Sequence, residues 1–245
     1  MSSLAAAAAR NNAAWVDAVA RSHGVPARQD GAAWRGDGRM PRFYPNLVTL
    51  DPAAGADALL GDPPRGAAED WGLKDSFAVL DLAPEGFVPL FDAEWLVREP
   101  APTRAEEAGR VTTVEGLGRW TRGWGEAPED AAIFRPALLE AAGVRFYAVE
   151  ADGRAVAGIA ALVDGEVAGY SNAFGPVDGM AACLAALAAD AGPRPLVGYE
   201  AGAALRAMVT LGFRPVGALR VWSRDGRSIL RAAPPAARDR GRVIP

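Results

Sequence analysis

The sequence is poor in the residues that most often do chemistry. Among its 245 residues there is one cysteine, Cys183, and one histidine, His23. No disulfide framework and no Cys/His zinc site can be assembled from a single residue of each. A Ser-His-Asp or Cys-His mechanism would have to use His23, which stands near the end of an expected helix with no motif around it. Lysine is nearly missing too: Lys74 is the only one, and arginine carries the rest of the positive charge. No stretch approaches the roughly 18 uncharged apolar residues that span a bilayer. The alanine run from Met1 to Ala9 lacks the basic start and Leu/Val-rich centre of a secretory signal, so a cytoplasmic protein with no membrane partner is expected. A strong basic balance is also lacking. The 26 basic residues are outnumbered by 30 acidic ones, a net charge of −4, which argues against nucleic acid as a partner.

What is present is enough for a core. Half of the residues are apolar and 23% are charged, a globular balance. The length suits one large domain or two modest ones. An opening helix over residues 4–23 carries Trp15, Val16 and Val19 at helical spacing and is stopped by Gly24 and Pro26. Residues 29–45 read as a long loop anchored by Trp34 and Phe43, followed by a short strand at 47–50 and a weak helix at 56–60. Two β-prone runs, 76–82 and 87–97, are joined by Ala83-Pro84-Glu85-Gly86 and predict a hairpin. Glu99-Pro100-Ala101-Pro102 reads as a linker. The expected organisation is therefore a smaller N-terminal mixed α/β domain over 1–100, a second domain over 101–228, and a disordered Arg/Pro-rich tail over 229–245.

The second half has a regular order. Thr103, with Glu106 and Glu107 behind it, opens a helical stretch. Val114, Leu117 and Trp120 share a helix face up to Gly123-Trp124-Gly125, and 128–142 reads as a further helix kinked at Pro136. Strands at 145–150, 155–163 and 167–174, joined through Asp152-Gly153 and Asp164-Gly165, predict an antiparallel meander. A helix at 180–189, a strand at 195–199, a helix at 203–211 closed by Gly212 and a strand at 215–223 follow. One internal echo stands out. Gly86-Phe87-Val88-Pro89 with Arg98 matches Gly212-Phe213-Arg214-Pro215 with Arg224 at a single offset, and duplication and chance both stay open.

This order resembles the GNAT superfamily of acyl-CoA-dependent N-acetyltransferases over about residues 103–224. The run from Ala148 through Asp152-Gly153 to Gly158 is similar to the family's second and third strands with their "DGxxVG" turn, and Leu211-Gly212-Phe213 to the "LGF" that ends its last helix. The fold implied is α/β (α+β), a mixed sheet flanked by helices, and a truncated second unit in the N-terminal part is left open. The resemblance implies acetyl-CoA as the acyl donor and direct transfer to an amine, on a small molecule or a peptide. A homodimer is left open. It also implies that the fourth and fifth strands part around Ala173 and Phe174 to hold the pantetheine arm. Gly179, Met180 and Ala181, in Pro176-Val177-Asp178-Gly179-Met180-Ala181, would then turn backbone N–H groups toward the pyrophosphate.

Three positions depart from the family pattern. Pro176 replaces an Arg or Gln, and Asp178 adds a negative charge worth on the order of 1–4 kcal/mol of repulsion toward a pyrophosphate. Weakened or lost CoA binding is therefore expected. Asp178 reads equally as a helix N-cap. Met208 stands where many members carry a tyrosine acid, so Tyr199 and Glu200, at the end of the fifth strand, are the candidates for acid/base work. Both also read as a packing and a capping residue. Glu150 and Glu166 are further carboxylates in the meander. Alternation places Tyr170 and Asn172 on one side of the fourth strand, Ser171 and Ala173 on the other. Trp120 and Trp124 read as core or as acceptor-pocket lining, and Cys183 as inert core. In the N-terminal half Phe43-Tyr44-Pro45-Asn46 and Lys74-Asp75-Ser76-Phe77 stand out. Lys74 with Asp75 reads as a functional pair or as a surface ion pair worth less than about 1 kcal/mol. A catalytically inactive GNAT-like binding module is the rival to an enzyme.

Overall fold

In the computed structural model, which describes residues 3–69, 71–100, 107–125 and 127–224, an alanine-rich helix lies across one sheet of eleven strands. In chain order the elements are α1 (Ser3–Ser22), β1 (Ala27–Gln29), β2 (Ala33–Gly36), β3 (Leu47–Thr49), α2 (Ala56–Leu60), β4 (Gly72–Asp75) and β5 (Phe87–Arg98). Then come β6 (Gly109–Val111), α3 (Val114–Trp124), β7 (Val144–Ala151), β8 (Arg154–Asp164), β9 (Val167–Phe174), α4 (Val177–Ala191), β10 (Leu196–Glu200), α5 (Gly202–Thr210) and β11 (Arg214–Arg224). Thr103 and Glu106 of the expected helix start, and the tail, lie outside the described residues, while Gly109–Val111, just after Glu107, form strand β6 and not a helix. Among those described, no helix is long and apolar enough to cross a membrane.

The sheet order is β1-β2-β3-β4-β11-β5-β10-β9-β8-β7-β6. It reads alike from both ends: antiparallel strands, one parallel step (β3 with β4, β9 with β10), then a strand lent by the other half. β5 pairs with both β10 and β11, and β11 pairs with β4. No separate N-terminal domain is shown, because strands from both halves alternate at the centre of one sheet. The internal echo falls on this central pair. Ala93 stands opposite Leu219, and the single-residue bulges at Leu90 and Val216 sit on either side of that pair, all at the offset that relates the two motifs.

Several sequence expectations change. Residues 76–82 do not form the first strand of a hairpin. The Asp75 carboxylate accepts the Phe77 N–H at 3.2 Å and the Leu80 N–H at 2.8 Å, closing a tight loop in which Ala78 has φ 51°. Two three- or four-residue strands, β1 and β2, occupy part of the expected long loop, and β4 was not foreseen. In place of one helix over 128–142 there are two 3-10 turns, Pro128–Ala132 and Pro136–Leu139. Pro136 has no N–H to continue a helix, so it starts a new turn. The meander formed as expected, with left-handed backbone at Asp152, Gly153 and Gly165.

Each face of the sheet has a core. On one, α1 and α3 bury Trp15, Val16, Trp120 and Trp124 with Phe134, Phe146 and Phe174. Trp120 meets Phe134, Phe146 and Phe174 edge-on at 4.9, 5.0 and 5.2 Å, which settles the two tryptophans as core. On the other face, α4 and α5 pack Cys183, Leu184, Leu187, Met208 and Phe213 against Ile159 and Tyr170. Helix α1 approaches closely because its inner face over residues 5–13 is alanine and asparagine. A Cβ on Gly169 would fall 1.8 Å from Asn11 Oδ1, so only glycine fits beneath the helix. The Asn11 amide donates to the Leu162 carbonyl at 3.0 Å and completes the contact.

Candidate active site

The site begins where two strands part. β9 and β10 are parallel neighbours only at Ala168–Leu196 and Gly169–Val197, yet β9 continues to Phe174 and β10 to Glu200. The Tyr170 ring wedges them open. It lies over Gly198, where a Cβ would come within 2.2 Å of it. One turn further the register of β9 against β8 slips between Phe174 and Ser171, and Asn172 takes φ 54°. This bulge breaks the alternation expected from sequence. The Tyr170 ring packs on Phe213 at 5.3 Å, while the Asn172 side chain turns to accept the Tyr44 hydroxyl at 3.1 Å. A pocket of about 60 Å³ opens there, walled by Asn12 and Trp15 of α1, Phe43 and Tyr44, Lys74, residues 170–173, Tyr199 and Glu200.

The N-terminal half supplies the far wall, through Phe43, Tyr44 and Lys74. The Asn46 amide donates to the Gly36 and Gly38 carbonyls at 3.0 and 2.8 Å and fixes the loop that carries Tyr44. Phe43, at φ 70°, turns its ring edge-on to Trp124. The aromatic-polar cluster 43–46 was the visible signal, but without a motif it had no direction. Lys74 and Asp75 are not a pair. Neighbours on a strand face opposite ways. Asp75 holds its own loop on one side. Lys74, 3% exposed, reaches toward α1 on the other, donates to Asn12 Oδ1 at 2.7 Å and lies 4.2 Å over the Tyr199 ring. Nor is it at the surface. Burial pushes its ammonium down to about 7.

Burial also pushes the Glu200 carboxyl up to about 8. Tyr199 meets Trp95 edge-on at 5.4 Å, and burial raises its phenol above the ordinary value. The Tyr170 hydroxyl is buried and has no hydrogen-bond partner among the described residues. Burial, then the neighbouring Glu200 carboxylate, raise it well above the ordinary value. The structure thus brings Tyr199 and Glu200 into one pocket with Tyr170 and Lys74. Glu150 pairs with Arg119 at 3.0 Å and Glu166 is exposed in a turn, so neither enters it. His23 shares a hydrogen bond with the Ile133 carbonyl at 2.9 Å, a packing role. Met208 and Cys183 are buried in the opposite core, and burial pushes the Cys183 thiol up to about 12.

A CoA molecule fits the backbone of this site better than its charge. Ala173 lines the pocket, and Phe174 packs on Trp120. Gly179, Met180 and Ala181 lie in the first turns of α4, whose N-cap is Pro176 with no side chain capping it. Asp178 is therefore not the N-cap. It is an exposed charge in the first turn. The reason for Gly179 is packing, since a Cβ there would fall 2.5 Å from that of Ala157 on β8. Uncapped N–H groups at a helix start suit a pyrophosphate, and the unpartnered Tyr170 hydroxyl suits a polar ligand in the cleft.

No family model and no curated protein matches the sequence. Among solved structures, the chain is similar to a GCN5-related N-acetyltransferase from Kribbella flavida, with TM-score 0.53 and 17% identity over 92% of this chain and 97% of that one. It is also similar to a protein ascribed to the GNAT acetyltransferase family from Novosphingobium aromaticivorans, with TM-score 0.52 and 19% identity over 84% and 95% of the two chains. These spans take in the N-terminal half as well as the part that carried the sequence resemblance. The chain has the fold of the GNAT acetyltransferases over most of its length.

Proposed function

We propose that the protein is an acyl-CoA-dependent N-acetyltransferase that moves an acetyl group directly to an amine. The observation that carries this reading is the parting of β9 and β10 with Glu200 and Tyr170 at the opening. Acetyl-CoA, when bound, supplies the acyl group activated as a thioester. The backbone at Ala173 and Phe174 would hold its pantetheine arm, and the N–H groups at Gly179, Met180 and Ala181 its pyrophosphate. Glu200 takes the proton that an ammonium must lose before its nitrogen can attack, and a carboxyl near 8 is matched to that task. The Tyr170 hydroxyl, which has no partner to surrender among the described residues, gives a proton to the departing thiolate. Tyr199 walls the acceptor side and is the second phenol able to do so. The acceptor amine enters from the pocket under α1.

We further propose that the N-terminal half is a reduced copy of the C-terminal unit, with the boundary near residue 100 and one strand exchanged each way. The equal spacing of motif and bulges on β5 and β11 supports it. A second functional reading, an inactive module, is favoured by Pro176, Asp178 and buried Met208. Calorimetric titration with acetyl-CoA, with CoA as control, followed by an amine panel separates the two. Micromolar binding with turnover supports the enzyme. No binding at millimolar acetyl-CoA supports the inactive module.

A further inference from the structure

Lys74 is the only lysine in a chain that carries its remaining positive charge on arginine, and it is not where lysines usually are. It is buried at the wall of the pocket, and no carboxylate pairs with it among the described residues. Its ammonium has three protons to donate and, among the described residues, one hydrogen-bond acceptor, Asn12 Oδ1 at 2.7 Å. The face of Tyr199 at 4.2 Å adds cation–π attraction but accepts no strong hydrogen bond. A buried charge left this incomplete is costly unless a ligand completes it.

We propose that Lys74 is the anion-binding residue of the acceptor subsite, and that the acceptor is an amine carrying a carboxylate, of the amino-acid type. This rests on the acetyl-transfer reading for the word acceptor, but not for the anion site. Glu200 stands on β10 and Lys74 on β4, three sheet positions apart, or about 14 Å measured across the strands. Both side chains reach the same pocket. A molecule with an amine at one end and an acid at the other is oriented by them: its carboxylate meets Lys74 and its nitrogen meets Glu200. Ser171, Asn172 and Tyr44 line the same pocket with neutral hydrogen-bonding groups. Free space of about 60 Å³ suits a head group of that kind. A lysine is the fitting cation here, because a compact ammonium needs less room than a guanidinium fork.

The only lysine gives a direct probe. Protein grown on lysine labelled with heavy nitrogen has a single Nζ resonance, that of Lys74. Titration with N-acetylglycine is expected to move that resonance and raise its titration midpoint, while N-methylacetamide, which lacks the acid, does neither. An Nζ signal indifferent to N-acetylglycine at tens of millimolar overturns the proposal, whether or not the protein transfers acetyl groups. In turnover with acetyl-CoA, alanine is expected to exceed ethylamine in kcat/KM by at least about 100-fold. In Lys74→Met that ratio falls to within about threefold, with the loss in the acid-bearing substrate alone. A preference that survives Lys74→Met also overturns it. If no amine is acetylated while the Nζ signal still responds to N-acetylglycine, the acetyl-transfer reading has failed and the anion site stands.

Discussion

The two halves of the sheet follow one plan at two sizes. In the C-terminal half the meander strands run eight to eleven residues, and the helix after them, α4, has 15 residues. In the N-terminal half the corresponding strands have three or four residues and α2 has five. Long strands can part and still remain held by their outer neighbours, and a long helix can present an ordered N-terminus. The short half has neither property. It contributes walls: a loop with Tyr44, one buried lysine, and a strand for the middle of the other half's sheet. The larger unit would do the chemistry while the reduced one selects what reaches it.

The strongest way to break this comparison is to separate the halves. A fragment of residues 107–224 keeps the meander, α4 and β10 but loses β5 from between β10 and β11. It also loses α1 from over the sheet. It is expected to be unfolded or aggregated by circular dichroism and size-exclusion chromatography. A folded fragment that binds acetyl-CoA would reduce the N-terminal half to an accessory.

Glu200→Gln tests the chemical half. It is expected to lower kcat by about 10²–10⁴ while acetyl-CoA affinity holds. The kcat of the unmodified protein, at saturating acceptor, is expected to rise with pH and level off above 8, as Glu200 loses its proton, a dependence the variant lacks.

Lys74→Met tests the selecting half by stability. Removing an incompletely paired buried ammonium is expected to stabilise the fold by about 1–4 kcal/mol at neutral pH, seen as a higher Tm. The pH dependence sharpens this. The folded-state pKa is depressed to about 7 from 10.5, so between those values the unfolded chain binds the proton more tightly than the folded one. The Lys74 contribution to stability should therefore rise with pH across that window, against the opposite trend of Glu200 up to about 8, and it disappears in Lys74→Met. A variant that is destabilised instead would make Lys74 a packing residue.

The smallest expected effect is at the helix. Asp178→Asn removes the negative charge from the first turn of α4 and is expected to tighten acetyl-CoA by roughly two- to tenfold, most at low salt. Calorimetry at two ionic strengths reads it directly.

Much of the C-terminal half was legible because its signals are local. Asp-Gly turns between apolar runs specify the meander, and the glycines at 192 and 212 end α4 and α5 where expected. Tyr199 and Glu200 could be placed at a strand end by counting elements. In the N-terminal half β1, β2 and β4 were hidden because three or four residues do not make a readable period. Residues 76–82 have the composition of a strand, and an Asp75 carboxylate that captures two backbone N–H groups decides otherwise. The same holds for Asn172, where a bulge overrides alternation.

The sequence by itself determined the chemical inventory: no thiol or imidazole machinery, one lysine, two candidate carboxyl and phenol residues at a strand end, and a helix start without its usual positive charge. Only the tertiary structure decided what these residues are for. Whether Lys74 is an exposed charge or the buried wall of a pocket depends on α1 covering β4 and on β11 and β5 crossing between the halves. Those contacts join residues far apart in the chain. No local period or motif encodes them, because they are selected by which apolar faces can be buried together.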